Sequence, residues 1–233
     1  MRSAWYGEGA PDKGSLDACV TARTTLSKLS RERVRQEMLK LVVAPKAVPT
    51  LSLMQECKVL AVILAGRIDI GRLEALSATE AAQELVPDPV RRLRALSADQ
   101  TAQDLRRAFV LSNEETKRLE ALAQLPPVSP AFRHAERQTL LYWHGRQAVI
   151  DRLLLDWSAG EHPSDDADYA ALLGEAQVWQ KPKLPIGGKD LQAAGIAEGK
   201  ELGHLLQALE DWWVAGGFTA NKAELMARLA AIR

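Results

Sequence analysis

Cysteine is almost absent from this 233-residue chain: Cys19 and Cys57 are the only two. Two thiols are too few for a disulfide framework or a cysteine-built zinc site, and in helical contexts they read as buried small apolar residues of a reducing compartment. Long apolar runs are missing as well. The longest, Val59 to Ala65, is far short of a membrane span, and the opening residues lack the apolar stretch of a secretory signal. A cytoplasmic protein with no membrane contact is expected. Charge of one sign is missing too: thirty basic and thirty acidic residues give a net charge of zero. An anionic partner must therefore be met by a local patch and not by the field of the whole molecule.

The usual marks of a catalytic centre are not found. There is no phosphate-cradling glycine loop, no HExxH pair, no serine in a nucleophile elbow, and no pair of acids on a strand to hold catalytic magnesium. No catalytic and no metal-ligating residue is assigned. Glu161, His162, Asp165, Asp166 and Asp168 are the densest set of ligand types, but the glycine and terminal glutamate of a calcium loop are absent, so they read as a solvated, helix-capping loop. His134 and His144 read as packing or surface residues.

Helical patterning fills the chain, and 47% hydrophobic residues allow a sizeable core. An all-α fold is predicted, as an elongated stack of helices. Ser30 caps a helix with Val34, Met38, Leu41 and Val42 on one face and Arg31, Arg33, Arg35 and Lys40 over the rest, ending at Pro45. After Pro49, Leu51 to Ile63 reads as one largely buried helix stopped by Gly66. Ser77 with Glu80, Ser97 with Gln100 and Ser112 with Glu115 have the spacing of capping boxes. Pro126 and Pro127 end the last of these helices. A further helical run follows, open to interruption at Gly145, and Ser164 or Asp165 would cap the next. Trp143, Trp157, Trp179, Trp212 and Trp213 sit at helical spacing with leucines and read as packing residues.

The stretch "LPIGGKDLQAAGIAEGKELGHLLQALEDWW" concentrates glycine. It reads as a short helix from Lys189, stopped by Gly195 in the left-handed conformation with Ile196 folding back as an apolar clamp, then a second helix from near Glu198. Gly199 and Gly203 lie one turn apart and are expected to let the first helix approach closely. Free amides at that second helix start, flanked by Lys189 and Lys200, would also suit a phosphate.

That stretch, with "LSRERVRQEMLKLVVAP", "LSNEETKRL" and "GRQAVIDRLLLDW", resembles the C-terminal helical half of bacterial tRNA nucleotidyltransferases and poly(A) polymerases, the class that includes CCA-adding enzymes. The resemblance runs over nearly the whole chain. Its best motif is GKDL…GI..G...G, through Gly188, Lys189, Asp190, Gly195, Gly199 and Gly203, and Glu32, Arg33, Val34, Glu37 and Met38 match the family's ERI-x-x-E-L element. Leu184 stands where an aromatic residue is usual, Lys200 where proline is common, and Trp143-His144 where Tyr-Arg is usual.

The resemblance implies a partial neck and start of the body over 1–90, a helical body over 91–160 and a tail over 161–233. It places magnesium and CTP or ATP on a catalytic head outside these segments, so no cofactor is expected here and the chain alone is expected to be inactive. The implied partners are tRNA or another structured RNA, gripped along the acceptor and T arms for addition at the 3′ end, a separate head, and a second copy through an exposed apolar neck patch over residues 1–43. Lys189, Lys200, Arg31, Arg35, Arg91, Arg92 and Arg94 are the candidate RNA-binding residues; Gly188, Gly195, Gly199 and Gly203 are the structural turn. Two other uses stay open: a helical protein-interaction module without RNA function, and a glycine hairpin that holds duplex DNA.

Overall fold

The structure, a computed structural model, describes residues 23–232 except 98 and 161, together with positions 14, 17, 20 and 21. Cys19, Glu161 and most of the expected neck patch before Arg23 lie outside the described residues. Among those described, a 3-10 turn at Arg23–Lys28 precedes thirteen α-helices, and there is no strand. The fold is all-α.

The first seven helices are α1 (Arg31–Val42), α2 (Ala47–Glu56), α3 (Leu60–Ile63), α4 (Ile70–Ala82), α5 (Pro89–Leu96), α6 (Ala102–Phe109) and α7 (Asn113–Gln124). Ser30 caps α1 by accepting from the Arg33 amide. Its apolar face, Met38, Leu41 and Val42, is buried. The single helix expected over Leu51–Ile63 is two, because Lys58 takes the left-handed conformation at φ 56°. There the Val59 and Lys58 amides return to the Met54 and Gln55 carbonyls, the bonds of a Schellman stop built without glycine.

Two of the three expected capping boxes are elsewhere. Ser77 lies inside α4 and donates back to the Leu73 carbonyl, whereas Asp69 caps that helix. Ser97 ends α5, and the box that starts α6 is Thr101 with Asp104. A side-chain hydroxyl inside a helix bonds the preceding turn, so spacing alone does not fix a start. Ser112 with Glu115 does cap α7 as read. At α5, Asp88 is the cap and Pro89 the first helical residue, where a missing amide N–H costs nothing.

Gly145, at φ 81°, separates α8 (His134–His144) from α9 (Arg146–Trp157). Then come α10 (Ala167–Val178), α11 (Gly188–Ala193), α12 (Lys200–Ala215) and α13 (Lys222–Ile232). The cap of α10 is Asp166, two residues beyond Ser164 and one beyond Asp165, the expected caps, with its carboxylate accepting from the Asp168 and Tyr169 amides.

Two cores result. The larger gathers buried residues from Met38 to Ala176, including Leu51, Leu73, Leu93, Phe109, Leu153 and Trp157. The smaller holds Tyr142, Ile186, Leu191, Ile196, Leu209, Trp213, Val214, Leu225 and Leu229. Because α10 buries Tyr169, Leu172, Leu173 and Ala176 in the larger core, the packing divides after Trp179 and not at the polar loop near residue 161. Adjacent residues of α8 join the two: Leu141 packs into the first core and Tyr142 into the second.

Candidate nucleic-acid interface

The glycine turn is built as a helix stop. The Ile196 amide donates to the Leu191 carbonyl at 3.1 Å and the Gly195 amide to Gln192 at 2.9 Å. Gly195 stands at φ 87°, and Leu191 and Ile196 are buried together in the smaller core. α12 then starts at Lys200, with Gly199 as a cap that offers no side-chain acceptor, so its first amides stay open. The Lys-Asp pair is divided between two tasks. Asp190 accepts from the Gly187 amide at 2.9 Å and pairs with Lys222 of α13, while Lys189 projects free. Hydrogen bonds from Lys222 and Gly187 hold the Asp190 carboxyl below its usual range.

Close approach at Gly199 and Gly203 is not what these glycines provide. A Cβ at either would meet nothing within 4 Å; the glycine near its neighbour helix is Gly188, where a Cβ would lie 3.5 Å from Leu202 of α12. Gly199 is needed for its φ of 149°.

Of the seven candidate cations, Lys189 and Lys200 are exposed on the tail and bear no ion pair. Arg31 is exposed and donates to the Arg107 carbonyl at 3.2 Å. Arg35 is engaged: one terminal nitrogen meets both Glu115 oxygens at 2.7 and 2.9 Å. Burial raises the Glu115 carboxyl, but hydrogen bonds from Arg35 and from Ser112 hold it below the usual glutamate range.

Arg91 and Arg92 must be withdrawn as RNA ligands. Both are buried beneath the surface of α5. Arg91 donates to Glu80 and Asp151, and Arg92 to Glu80 and the Val42 carbonyl. Asp151 also takes two bonds from Arg118 and one from Gln147. Burial pulls the Arg118 guanidinium down, yet the bonds and charge of Asp151, then Asp88, hold it above the usual arginine value. This network ties α4, α5, α7 and α9 together. An arginine run beside a proline looks like a basic patch in sequence, but helix geometry turns two of its three members inward. The third, Arg94, is half-buried and donates to the Ser97 and Gln100 carbonyls.

The tryptophans also divide. Trp157 and Trp213 are buried as packing residues, and their ring N–H groups donate to the Pro163 and Ala220 carbonyls. Trp143 and Trp212 are exposed at 41% and 38%, contrary to a core role. Trp143 meets Tyr142 edge-on at 5.0 Å, Lys181 sits 4.2 Å from the Tyr142 ring centre, and Arg228 lies 5.8 Å from that of Trp212. Burial and then the hydrogen bond to Glu210 push the Tyr142 phenol up to about 12. On the tail, Arg228 lies over the exposed Trp212, while Lys181 covers the ring of the buried Tyr142 of α8.

The matches to known proteins follow the same map. Residues 93–229 match the family model described as "tRNA nucleotidyltransferase domain 2 putative". The chain belongs to the tRNA nucleotidyltransferase family. Within that family, residues 10–66 match the model "Probable RNA and SrmB- binding site of polymerase A". The mitochondrial CCA tRNA nucleotidyltransferase 1 of Mus musculus is 44% identical over 55 residues, 24% of this chain and 13% of that protein. The Homo sapiens enzyme of the same name matches to the same extent. The Bacillus stearothermophilus CCA-adding enzyme, solved in complex with CTP, shares the fold with a TM-score of 0.71 at 24% identity, over 98% of this chain and 60% of that one. A CCA-adding enzyme in an apo form gives 0.58 at 15% identity, over 95% and 55%. This chain thus spans 60% or less of the length of each of these relatives.

Among the described residues, no three His, Cys, Asp or Glu side chains gather to hold a metal ion. In the polar loop, Asp166 caps α10 and His162 lies 3.8 Å from it. His134 pairs with Glu175 at 2.9 Å on the surface. Nor is any helix among the described residues long and apolar enough to cross a membrane.

Proposed function

We propose that this chain is the RNA-gripping helical part of a CCA-adding or related nucleotidyltransferase, positioning the acceptor and T arms of tRNA for nucleotide addition at the 3′ end. The observation that carries the reading is the continuous family match over residues 93–229, which includes the tail bearing exposed, unpaired Lys189 and Lys200. Unpaired lysines beside open helix amides contact phosphates without reading sequence, which suits recognition of a folded RNA by shape. The described residues offer no ligand set for magnesium, so no chemical step is assigned to them. Cytoplasmic location, and docking of a catalytic head on the α1 side, belong to the same proposal. A gel shift with tRNA and with duplex DNA, at low and at physiological salt, tests it. Preference for tRNA supports the reading, and equal or absent binding counts against it.

A second reading has one observation in its favour. Leu26, Leu29, Val34, Val62 and Ile63 line an open groove of about 770 Å³, with Leu29 and Val62 at 40% and 46% exposure. Arg31, Asp99, Asp104 and Arg107 also line it, and a groove of mixed apolar and charged lining suits a protein-binding module or self-association. Sedimentation across a concentration series, without and with an added head fragment, tests it, and a strict monomer that also ignores the head counts against this use.

A further inference from the structure

Arg94, one of the candidate RNA-binding arginines, converges with Arg72 and Arg152, which the RNA reading leaves unused, on one small cavity. Arg72 of α4, Arg94 of α5 and Arg152 of α9 line a space of about 150 Å³ together with Asp156 and the end of α7. By volume it holds a few waters, at about 30 Å³ each, or one tetrahedral oxyanion.

Each arginine is held by backbone carbonyls at a helix end. Arg72 donates to Leu155 at 3.0 Å, Arg94 to Ser97 and Gln100 at 3.0 and 2.7 Å, and Arg152 to Leu122 and Leu125 at 3.2 and 2.9 Å. These bonds fix the guanidinium planes but do not neutralise them. The one carboxylate lining the cavity, Asp156, spends an oxygen on Arg152 Nε and the Val128 amide, both at 2.7 Å. Among the described residues Arg94 makes no ion pair or hydrogen bond with a carboxylate, and the charge of Asp99 only partly offsets its burial. Arg72 Nε is buried with no acceptor. Burial lowers both the Arg72 and Arg94 guanidiniums, and for Arg94 the neighbouring charges of Arg72 and Arg152 add to it. Three cations and a single lining carboxylate meet in the recess, while Asp69 and Asp99 act on Arg72 and Arg94 from outside the lining.

We propose that Arg72, Arg94 and Arg152 bind a phosphate-class oxyanion. Donors arriving from three helices suit the several oxygens of a tetrahedral group better than the two of a planar carboxylate. The group is either free phosphate or a phosphodiester of a bound RNA, and the site does not depend on the tRNA reading.

Thermal melts in potassium phosphate and in potassium chloride at equal ionic strength, for the natural chain and Arg94→Gln, read the site. Phosphate at about ten times its dissociation constant raises Tm by on the order of 3 °C in the natural chain, and the rise at least halves in Arg94→Gln. Stabilisation by phosphate as a general solute acts on both proteins alike, so equal rises overturn the proposal. Should Arg94→Gln fail to fold, Arg94→Lys and calorimetric titration of the natural chain with inorganic phosphate decide, and the absence of saturable heat overturns it. A tRNA titration of Arg94→Gln assigns the source: several-fold weaker binding that added phosphate reproduces in the natural chain points to an RNA phosphodiester, and unchanged binding to free phosphate. A phosphate shift in a protein that does not bind tRNA refutes the tRNA reading and leaves this site standing.

Discussion

Arg91 and Asp151 meet at 2.9 Å inside the larger core, with side chains 5% and 0% exposed. The pair belongs to a network with Glu80, Arg92 and Arg118 in which each carboxylate faces more than one guanidinium. Such a network fixes how four helices pack, and it is sensitive to loss of one member because the remaining charges stay buried.

Asp151→Asn should therefore be severe. It leaves Arg91 and Arg118 without their shared anion, at a cost of about 3–5 kcal/mol, or a fall in Tm of roughly 6–20 °C for a chain of this size. Lys117→Ala, an exposed change on α7, should leave Tm within about 1–2 °C. Calorimetric melts of the two variants make the comparison.

Acid should loosen the contact between α1 and α7. The Glu115 carboxyl sits below the ordinary glutamate value of 4.5 in the folded protein, so its contribution is complete above that pH and is lost as pH falls through the lower folded value. Melts from pH 7 to pH 3 should show Tm falling on the acid side of 4.5, with a shallower fall in Glu115→Gln. Parallel curves would mean that the Arg35–Glu115 pair adds no pH-dependent stability.

The glycines separate by substitution. Gly195→Val places a β-branched residue at φ 87° and costs about 1–3 kcal/mol, seen as an early melt. Gly203→Ala should be neutral or stabilising by up to about 1 kcal/mol, because the new Cβ meets nothing within 4 Å and alanine favours the helix.

How legible these features were in sequence depended on whether one residue type carries the local geometry. Gly195 and Ile196 announced their helix stop, since only glycine enters the left-handed region freely. The stops at Lys58 and Glu84 use the same geometry at φ 56° and 51° with ordinary residues, and no local pattern reveals them. Ser112 with Glu115 was a true capping box, whereas Ser77 with Glu80 has identical spacing inside a helix, where Glu80 faces Arg91 and Arg92. The exposed tail lysines could be read from the chain. The burial of Arg91 and Arg92 could not, because the acids that face them are contributed by α4 and α9, 11 to 60 residues away. The meeting of Arg72, Arg94 and Arg152 is hidden for the same reason: each residue alone looks like a surface cation.

Nucleotide addition should be absent from this chain alone. Incubation with tRNA lacking its 3′ end, magnesium, CTP and ATP should leave RNA length unchanged on a sequencing gel, because no three His, Cys, Asp or Glu side chains among the described residues gather to hold the metal that clamps the attacking and leaving oxygens. Incorporation above a protein-free control would contradict that expectation.

The central claim is that exposed tail lysines hold RNA by its phosphates. Its most direct measurement is the tRNA dissociation constant across a series of salt concentrations, for the natural chain, Lys189→Ala, Lys200→Ala and the double variant. Each lysine lost should weaken binding with little dependence on RNA sequence and reduce the slope of log K against log salt by about 0.7–0.9, with melts unchanged. Identical affinities and slopes in all four proteins would contradict the claim and leave the tail turn a purely structural element.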